Sequence, residues 1–308
     1  MLAFAAKRLA LALLVALTVS LISFFLVRLS SDVAAALAGP NATAADVEAI
    51  RHQYGFDRPL PVQYVDWLGH TLHGDFGDSL YFRKPVLGLV LERMPVTMTL
   101  GTLSMLFALG LGVPLGVLAA LRPNSWIDRL ALTLSVVGQA MPSFWFGLLL
   151  ILYLGVTLRL LPISGSDTWR HFVMPAITLG YYATPAIMRL TRTGMLEALS
   201  ADYIRTARAK GLRLGKVVLK HALRNAIIPV VALTAVQLGF VLGGSVVVET
   251  IFALNGMGYL AYQSIVQNDF PVVQAIVLTL SGLYIVLTLA ADLLNAWLDP
   301  RLRAAASA

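Results

Sequence analysis

The chain contains no cysteine, which excludes disulfides and thiolate metal sites. Charge is scarce too: only 13% of the 308 residues are Asp, Glu, Lys or Arg, against roughly 25% in a soluble domain. The scarcity is unevenly spread. No charged residue occurs from Leu9 to Val27, Met94 to Leu121, Leu130 to Leu158, His171 to Met188, Asn225 to Val248, or Phe270 to Ala291. A helix needs about 20 apolar residues to cross a ~30 Å hydrocarbon layer, and these six runs meet or approach that length. The predicted fold is therefore all-α, a polytopic membrane protein with six transmembrane helices. The first run follows Lys7 and Arg8 but exceeds the usual 7–15 residues of a signal-peptide core. It is expected to remain as a span, without cleavage near Ala34-Ala35-Ala36.

What charge there is carries an orientation. Lys and Arg concentrate in short cytoplasmic loops. With the N-terminus inside, the cytoplasmic set is Lys7, Arg8, Arg122, Arg129, nine residues between Arg189 and Arg224, and Arg301 and Arg303. The short external loops then hold only Arg159 and Arg170, because no Lys or Arg lies between Asn225 and Pro300. Both termini are predicted to be cytoplasmic. The net charge of +7 thus reads as topology and not as a nucleic-acid footprint.

The segment after the first span is long enough for a small water-exposed structure. Residues 44–54 and 62–72 have helical spacing, separated by Asp57-Arg58-Pro59-Leu60-Pro61, where the prolines impose a turn. The later spans are expected near 97–121, 130–154, 172–190, 226–248 and 272–297. Pro114, Pro142, Pro185, Gly239, Gly243 and Gly244 lie inside them, where small residues permit close helix approach. Gln139 and Gln237 are polar groups in mid-span. They read either as lining a pathway, with Gly243 and Gly244, or as ordinary interhelical hydrogen bonds. The expected organisation is 1–94 as first span plus external segment, 95–299 as a five-helix core, and 300–308 as a basic tail.

The stretch 189–224 between spans four and five reads as short capped helices. Ser200 is placed as an N-cap, Asp202 in the first turn, and Arg208 and Lys210 in the last. Gly211 stands where a helix closes in the left-handed conformation. The expected helix is Ala201–Lys210, with Tyr203, Ala207 and Lys210 on one face and Arg205, Arg208 and Ala209 on the other; a second is expected at 216–224. Such a helix suits a groove on a partner, or equally a basic loop touching anionic lipid.

The run Ala201-Asp202-Tyr203-Ile204-Arg205-Thr206-Ala207-Arg208-Ala209-Lys210-Gly211-Leu212, with Leu219-Lys220-His221-Ala222-Leu223-Arg224-Asn225-Ala226-Ile227-Ile228-Pro229 after it, resembles the EAA loop of ABC importer permeases. Arg205, Thr206 and Ala207 occupy the Glu-Ala-Ala positions, as in the dipeptide, oligopeptide, glutathione and nickel branch. Phe56-Asp57-Arg58-Pro59-Leu60, Gly74-Asp75-Phe76-Gly77, Gly243-Gly244-Ser245 and Leu298-Asp299-Pro300-Arg301 are similar to its B-type subunit; Ser30-Ser31-Asp32-Val33 departs from it. The resemblance implies a type I importer permease fold and a coupling helix carrying Asp202, Tyr203, Arg205, Thr206, Ala207, Lys210 and Gly211. It implies a homologous second permease, two cytoplasmic ATPases, a periplasmic or lipid-anchored solute-binding protein, and surrounding lipid. ATP and magnesium would be used by the ATPases. Here Gly211-Leu212-Arg213-Leu214-Gly215-Lys216-Val217 has three residues between its glycines and ends on Val, where a phosphate loop needs four and Ser or Thr.

The remaining candidates are weaker. Ser164, Ser166, Asp167 and His171 lack any sign of a strained nucleophile elbow. His70 and His73, one turn apart, read as a solvated helix face sooner than a metal pair. Asp292 is expected to find a structural partner near an interface, against a proton relay. Glu249 with Asn255-Gly256-Met257-Gly258 reads as a capped turn, or as a docking point for the binding protein. The competing function, an ion-coupled secondary transporter, needs charges deep in the spans that the chain lacks.

Overall fold

The structure is a computed structural model that describes residues 2–30, 32–39 and 42–298. The tail 300–308, with Arg301 and Arg303, lies outside the described residues, as do Ser31 and the Asp299-Pro300-Arg301 part of its motif. Helices dominate, and among the described residues there is no strand beyond one isolated bridge, Asp78 to Pro85. In chain order they are α1 (Leu2–Ser30), α2 (Val33–Ala38), α3 (Ala44–Gln53), α4 (Leu60–Leu72), α5 (Val86–Leu121), α6 (Trp126–Ala140) and α7 (Ser143–Leu150). A π-helical stretch, Ile151–Thr157, extends α7. Then come α8 (Trp169–Ser200), α9 (Asp202–Ala209), α10 (Leu214–Lys216), a π-helical Val217–Ala222, α11 (Leu223–Ala226), α12 (Ile228–Ile251), α13 (Met257–Val266) and α14 (Phe270–Leu298).

Among the described residues, four helical segments are long and apolar enough to cross a membrane: Ala5–Leu29, Val86–Leu121, Ile228–Ile251 and Phe270–Leu294. The run expected at 130–154 is a bent helix pair, apolar enough to count as a fifth span if it crosses as one broken unit. Helix α6 stops at Ala140 and α7 leaves at 100° to it. Pro142 explains the break, because the residue before proline avoids the α region and Met141 is extended (φ −81°, ψ 129°). The expected fourth span lies within α8, whose charge-free stretch is diluted by Pro175, Thr178, Tyr181, Tyr182 and Pro185. That helix is packed on by α5, α6, α7 and α12. A helix surrounded by protein has no need of a lipid-facing apolar surface. The boundary expected at 94/95 falls inside α5.

The centre of the molecule is the α5–α8 pair, and glycine sets its spacing. A Cβ on Gly116 of α5 would lie 2.6 Å from the Met188 carbonyl oxygen, and one on Gly180 of α8 would lie 2.5 Å from that of Ser104. Gly180→Val is therefore expected to lower stability by about 1–3 kcal/mol through overpacking. The thermal midpoint of the detergent-solubilised protein reads this directly. Gly110→Val, whose Cβ meets nothing within 4 Å, is the matched control and should leave that midpoint in place.

At the edge, α1 packs on α14 and touches α4. Arg8 Nη1 lies 2.7 Å from an Asp292 carboxylate oxygen, so Asp292 has the structural partner expected of it. The segments expected at 44–54 and 62–72 are α3 and α4. Thr43 and Asp46 form a reciprocal cap on α3, and the Thr43 hydroxyl and N–H hold the Asp46 carboxyl below its usual range.

Candidate functional site: helix α9 and the cavity at the α6–α7 break

Helix α8 does not end where loop character was expected, near Arg189, but runs to Ser200. An ion pair accounts for the extra turns. Arg192 donates from Nε and Nη2 to the two carboxylate oxygens of Asp128, at 2.6 and 2.7 Å. Asp128 itself is 2% exposed and also accepts from the Asn124 N–H. The Asp128 carboxylate pushes the Arg192 guanidinium up from its ordinary value through these hydrogen bonds. Sequence reasoning missed this clamp between α6 and α8. The signal was present: Asp128 is the sole acidic residue between Glu92 and Asp167.

After a one-residue break at Ala201 the chain forms α9. Its bounds are Asp202–Ala209, two residues short of expectation. Ser200 is no N-cap; its hydroxyl donates back to the Glu197 carbonyl and it is the last residue of α8. Lys210 caps the C-terminal end and Gly211 follows at φ +73°, in the left-handed region. The expected faces also need correction. Ile204 and Ala207 point inward, into a cluster with Val117, Met195, Val217, Val218 and Ala222. Asp202, Tyr203, Arg205, Thr206, Arg208 and Lys210 are exposed. Ala207 is thus separated from Tyr203 and Lys210, with which it was grouped. The helix lies apolar face down and polar face out. The Tyr203 hydroxyl accepts from Asn225 Nδ2 at 2.9 Å, tying α9 to α11. The helix expected at 216–224 begins at Leu214 and becomes π-helical from Val217 to Ala222.

A second feature is a cavity of about 490 Å³, lined by Gln139 and Met141 at the α6–α7 break, by Tyr182, and by Gln237, Phe240 and Gly244 of α12. Gln139, Gln237 and Gly244 are thereby brought together; Gly243 is exposed but does not line this cavity. Arg189 donates to Gln139 Oε1 at 3.2 Å and to Ser135 Oγ at 2.9 Å. Arginine has no acceptor atom, so this contact fixes the carbonyl end of the amide and leaves the Gln139 NH₂ free to donate.

The other candidates resolve as structure. Glu249 is fully buried; it accepts from Thr97 Oγ1 at 2.8 Å and from the Tyr259 N–H at 3.0 Å, so it caps α13. His171 Nδ1 accepts from the Thr168 N–H at 3.1 Å, at the start of α8. His70 and His73 are exposed and bond back to the carbonyls of Asp66 and Gly69. No cluster able to hold a metal occurs among the described residues.

Comparison with known proteins agrees with this architecture. The profile of a family described as binding-protein-dependent transport system inner membrane component matches residues 112–304. A companion profile for the N-terminal membrane component matches residues 1–101. The glutathione transport system permease protein GsiC of Salmonella typhimurium is 43% identical over 283 residues, covering 92% of each chain. Its namesake from Escherichia coli (strain K12) is 42% identical with the same coverage. Among solved structures, two crystal forms of the inward-facing MetNI methionine ABC transporter are similar in fold. Their TM-scores are 0.53 and 0.55 at 21% and 20% identity; they cover 69% and 68% of this chain and 97% and 96% of theirs. With profiles and relatives spanning nearly its whole length, the chain belongs to the family of inner membrane components of binding-protein-dependent transport systems.

Proposed function

We propose that this permease subunit forms half of the translocation pathway of an ATP-driven importer for di- or oligopeptides or related small solutes, glutathione among them. The observation that carries the mechanism is α9: eight residues seated by Ile204 and Ala207, with Tyr203, Arg205, Thr206 and Lys210 facing outward. In this reading α9 is the coupling helix. It enters a cleft on a cytoplasmic ATPase, with Asp202 in its first turn and Gly211 closing it, and receives the stroke of ATP-driven closure. It follows α8 after one residue, and α8 is itself held by the Asp128–Arg192 clamp to α6 and the close seam with α5, which supports transmission into the spans. The chain hydrolyses no ATP itself; ATP and magnesium belong to two partner ATPases. A homologous second permease and a periplasmic or lipid-anchored binding protein complete the complex.

The membrane arrangement follows the charge pattern, with six spans including α8 and the broken α6–α7 pair, and both termini cytoplasmic. The division into 1–94, 95–299 and 300–308 is kept as a functional one. Gln139, Gln237, Gly243 and Gly244 are assigned to the pathway. The cavity lining is uncharged and offers amide donors, chemistry suited to the peptide bonds and carboxylates of such solutes. Reconstitution of the full complex in proteoliposomes tests the reading. ATP-dependent uptake of labelled glutathione or dipeptide, lost when the binding protein is omitted, is expected; uptake driven by an ion gradient without ATP would overturn it.

A further inference from the structure

At the far end of α1 the structure holds a cation without a counter-ion. Arg28 lies in the last turn, its guanidinium carbon 4.3 Å from the centre of the Phe56 ring and 5.3 Å from that of Phe24. Two aromatic rings thus lie beside the guanidinium, and among the described residues its N–H groups make no hydrogen bond, which leaves them for a ligand. Among the described residues no carboxylate pairs with it. Asp32 pairs with Arg51 at 2.7 Å, Asp66 with Arg58 at 3.3 Å, and Asp57 with His52 at 2.7 Å, while Asp75, which accepts from the Gly77 N–H, and Asp78 share a cavity wall with Arg28 without an ion pair to it.

Arg28 lines two adjoining cavities of about 490 and 460 Å³, and Gln63 of α4 lines both with it. Gln63 is 8% exposed. Its Nε2 donates to the carbonyls of Phe56 and Arg58 at 3.0 and 2.7 Å, which fixes the amide orientation. Its Oε1 is buried and accepts nothing among the described residues. A buried acceptor left unpaired is costly, so the site asks for a donor as well as an anion. Asp78, exposed on the wall of the larger cavity, adds a second acceptor for a cationic donor.

We propose that this is a binding site for the headgroup of a zwitterionic phospholipid carrying a primary amine, of the phosphatidylethanolamine type. The phosphate meets the Arg28 fork, which favours phosphate geometry, and the ammonium meets Gln63 Oε1 and Asp78. The location favours a lipid over a dissolved solute. Arg28 sits at the end of a span, and Leu26, Leu29, Val62 and Val65 around it expose their side chains, which leaves apolar surface where acyl chains would lie.

The test uses the complete importer complex, purified in mild detergent after exchange into nanodiscs of phosphatidylethanolamine and phosphatidylglycerol. Lipid retained after delipidation is quantified by mass spectrometry. Phosphatidylethanolamine should be retained over phosphatidylglycerol, with about tenfold less retained by Arg28→Met and by Gln63→Leu, the loss of one charged hydrogen bond. Arg28→Lys, which keeps the charge, should hold an intermediate amount and serves if Arg28→Met fails to assemble. Equal retention by monodisperse wild type and variants would overturn the site. No preference between the two lipids would overturn the headgroup assignment. Stabilisation by soluble phosphoethanolamine without lipid retention would overturn the lipid source.

Discussion

Ala207→Asp is expected to abolish ATP-dependent uptake while leaving the protein inserted in the membrane. Ala207 is 6% exposed and packs among Ile204, Met195, Val217, Val218 and Ala222. A carboxylate placed there meets no cation in the cluster, and burying it unpaired costs several kcal/mol. Helix α9 has nothing to offset that. At eight residues it is too short to be stable alone, and two inward side chains with the single Asn225–Tyr203 hydrogen bond hold it in place. The substitution therefore unseats the helix and scatters the outward set of Tyr203, Arg205, Thr206 and Lys210. The spans are untouched, so membrane-fraction yield should be unchanged. Uptake in proteoliposomes with all partner subunits measures the effect. Transport within twofold of wild type would sink both the seat and the coupling role. Arg205→Ala leaves the seat intact and should reduce uptake without abolishing it.

The second large effect is expected at Glu249. Its carboxylate joins three elements at one buried point. Thr97 of α5 donates to it, the Tyr259 N–H of α13 donates to it, and Thr97 in turn accepts from the Met257 N–H at 2.8 Å. Glu249→Ala removes the acceptor and leaves the Thr97 hydroxyl and the first turn of α13 unpaired inside the protein. A loss of about 1–3 kcal/mol for each donor left unpaired follows, the scale for a buried polar group without its partner. Glu249→Gln keeps one oxygen but puts an NH₂ where an acceptor is needed, so its loss should be about 1–3 kcal/mol. Thermal or denaturant unfolding in detergent ranks the three proteins. A change below about 1 kcal/mol for Glu249→Ala would show that water replaces the carboxylate. It would also reopen Glu249 as a contact for the binding protein.

The apolar runs made most of the fold legible. Spans one, two, five and six are covered by α1, α5, α12 and α14, because continuous hydrophobicity over more than 20 residues admits few other solutions. The turn at Gly211 was legible for a local reason, the absence of a Cβ at positive φ. What escaped depends on partners distant in sequence. The final turns of α8 looked like a basic loop until Asp128 was placed beside Arg192, 64 residues away. Pro142 was visible inside the expected run 130–154, but not the 100° bend there, beyond which α7 packs on α8 and α12. The inward turn of Ala207 was hidden because alanine has little sidedness in a periodicity argument; only Ile204 beside it, the one large apolar residue of α9, hinted at the seat. Gln139 and Gln237 could be named as polar groups in apolar helices, but their meeting across one cavity is a tertiary fact.

The contact between Arg8 and Asp292 joins the first helix to the last. Beyond α4, the partner of α1 is α14, which leaves the ribosome some 270 residues later. During synthesis α1 therefore waits with α4 at its far end, through Ser20 and Tyr64, until the final helix arrives to cover the rest of its length. Assembly of this permease is expected to be complete only at the last span. Chains truncated before Phe270 should then leave α1 open to crosslinking with lipid or the insertion machinery, and full-length chains should protect it.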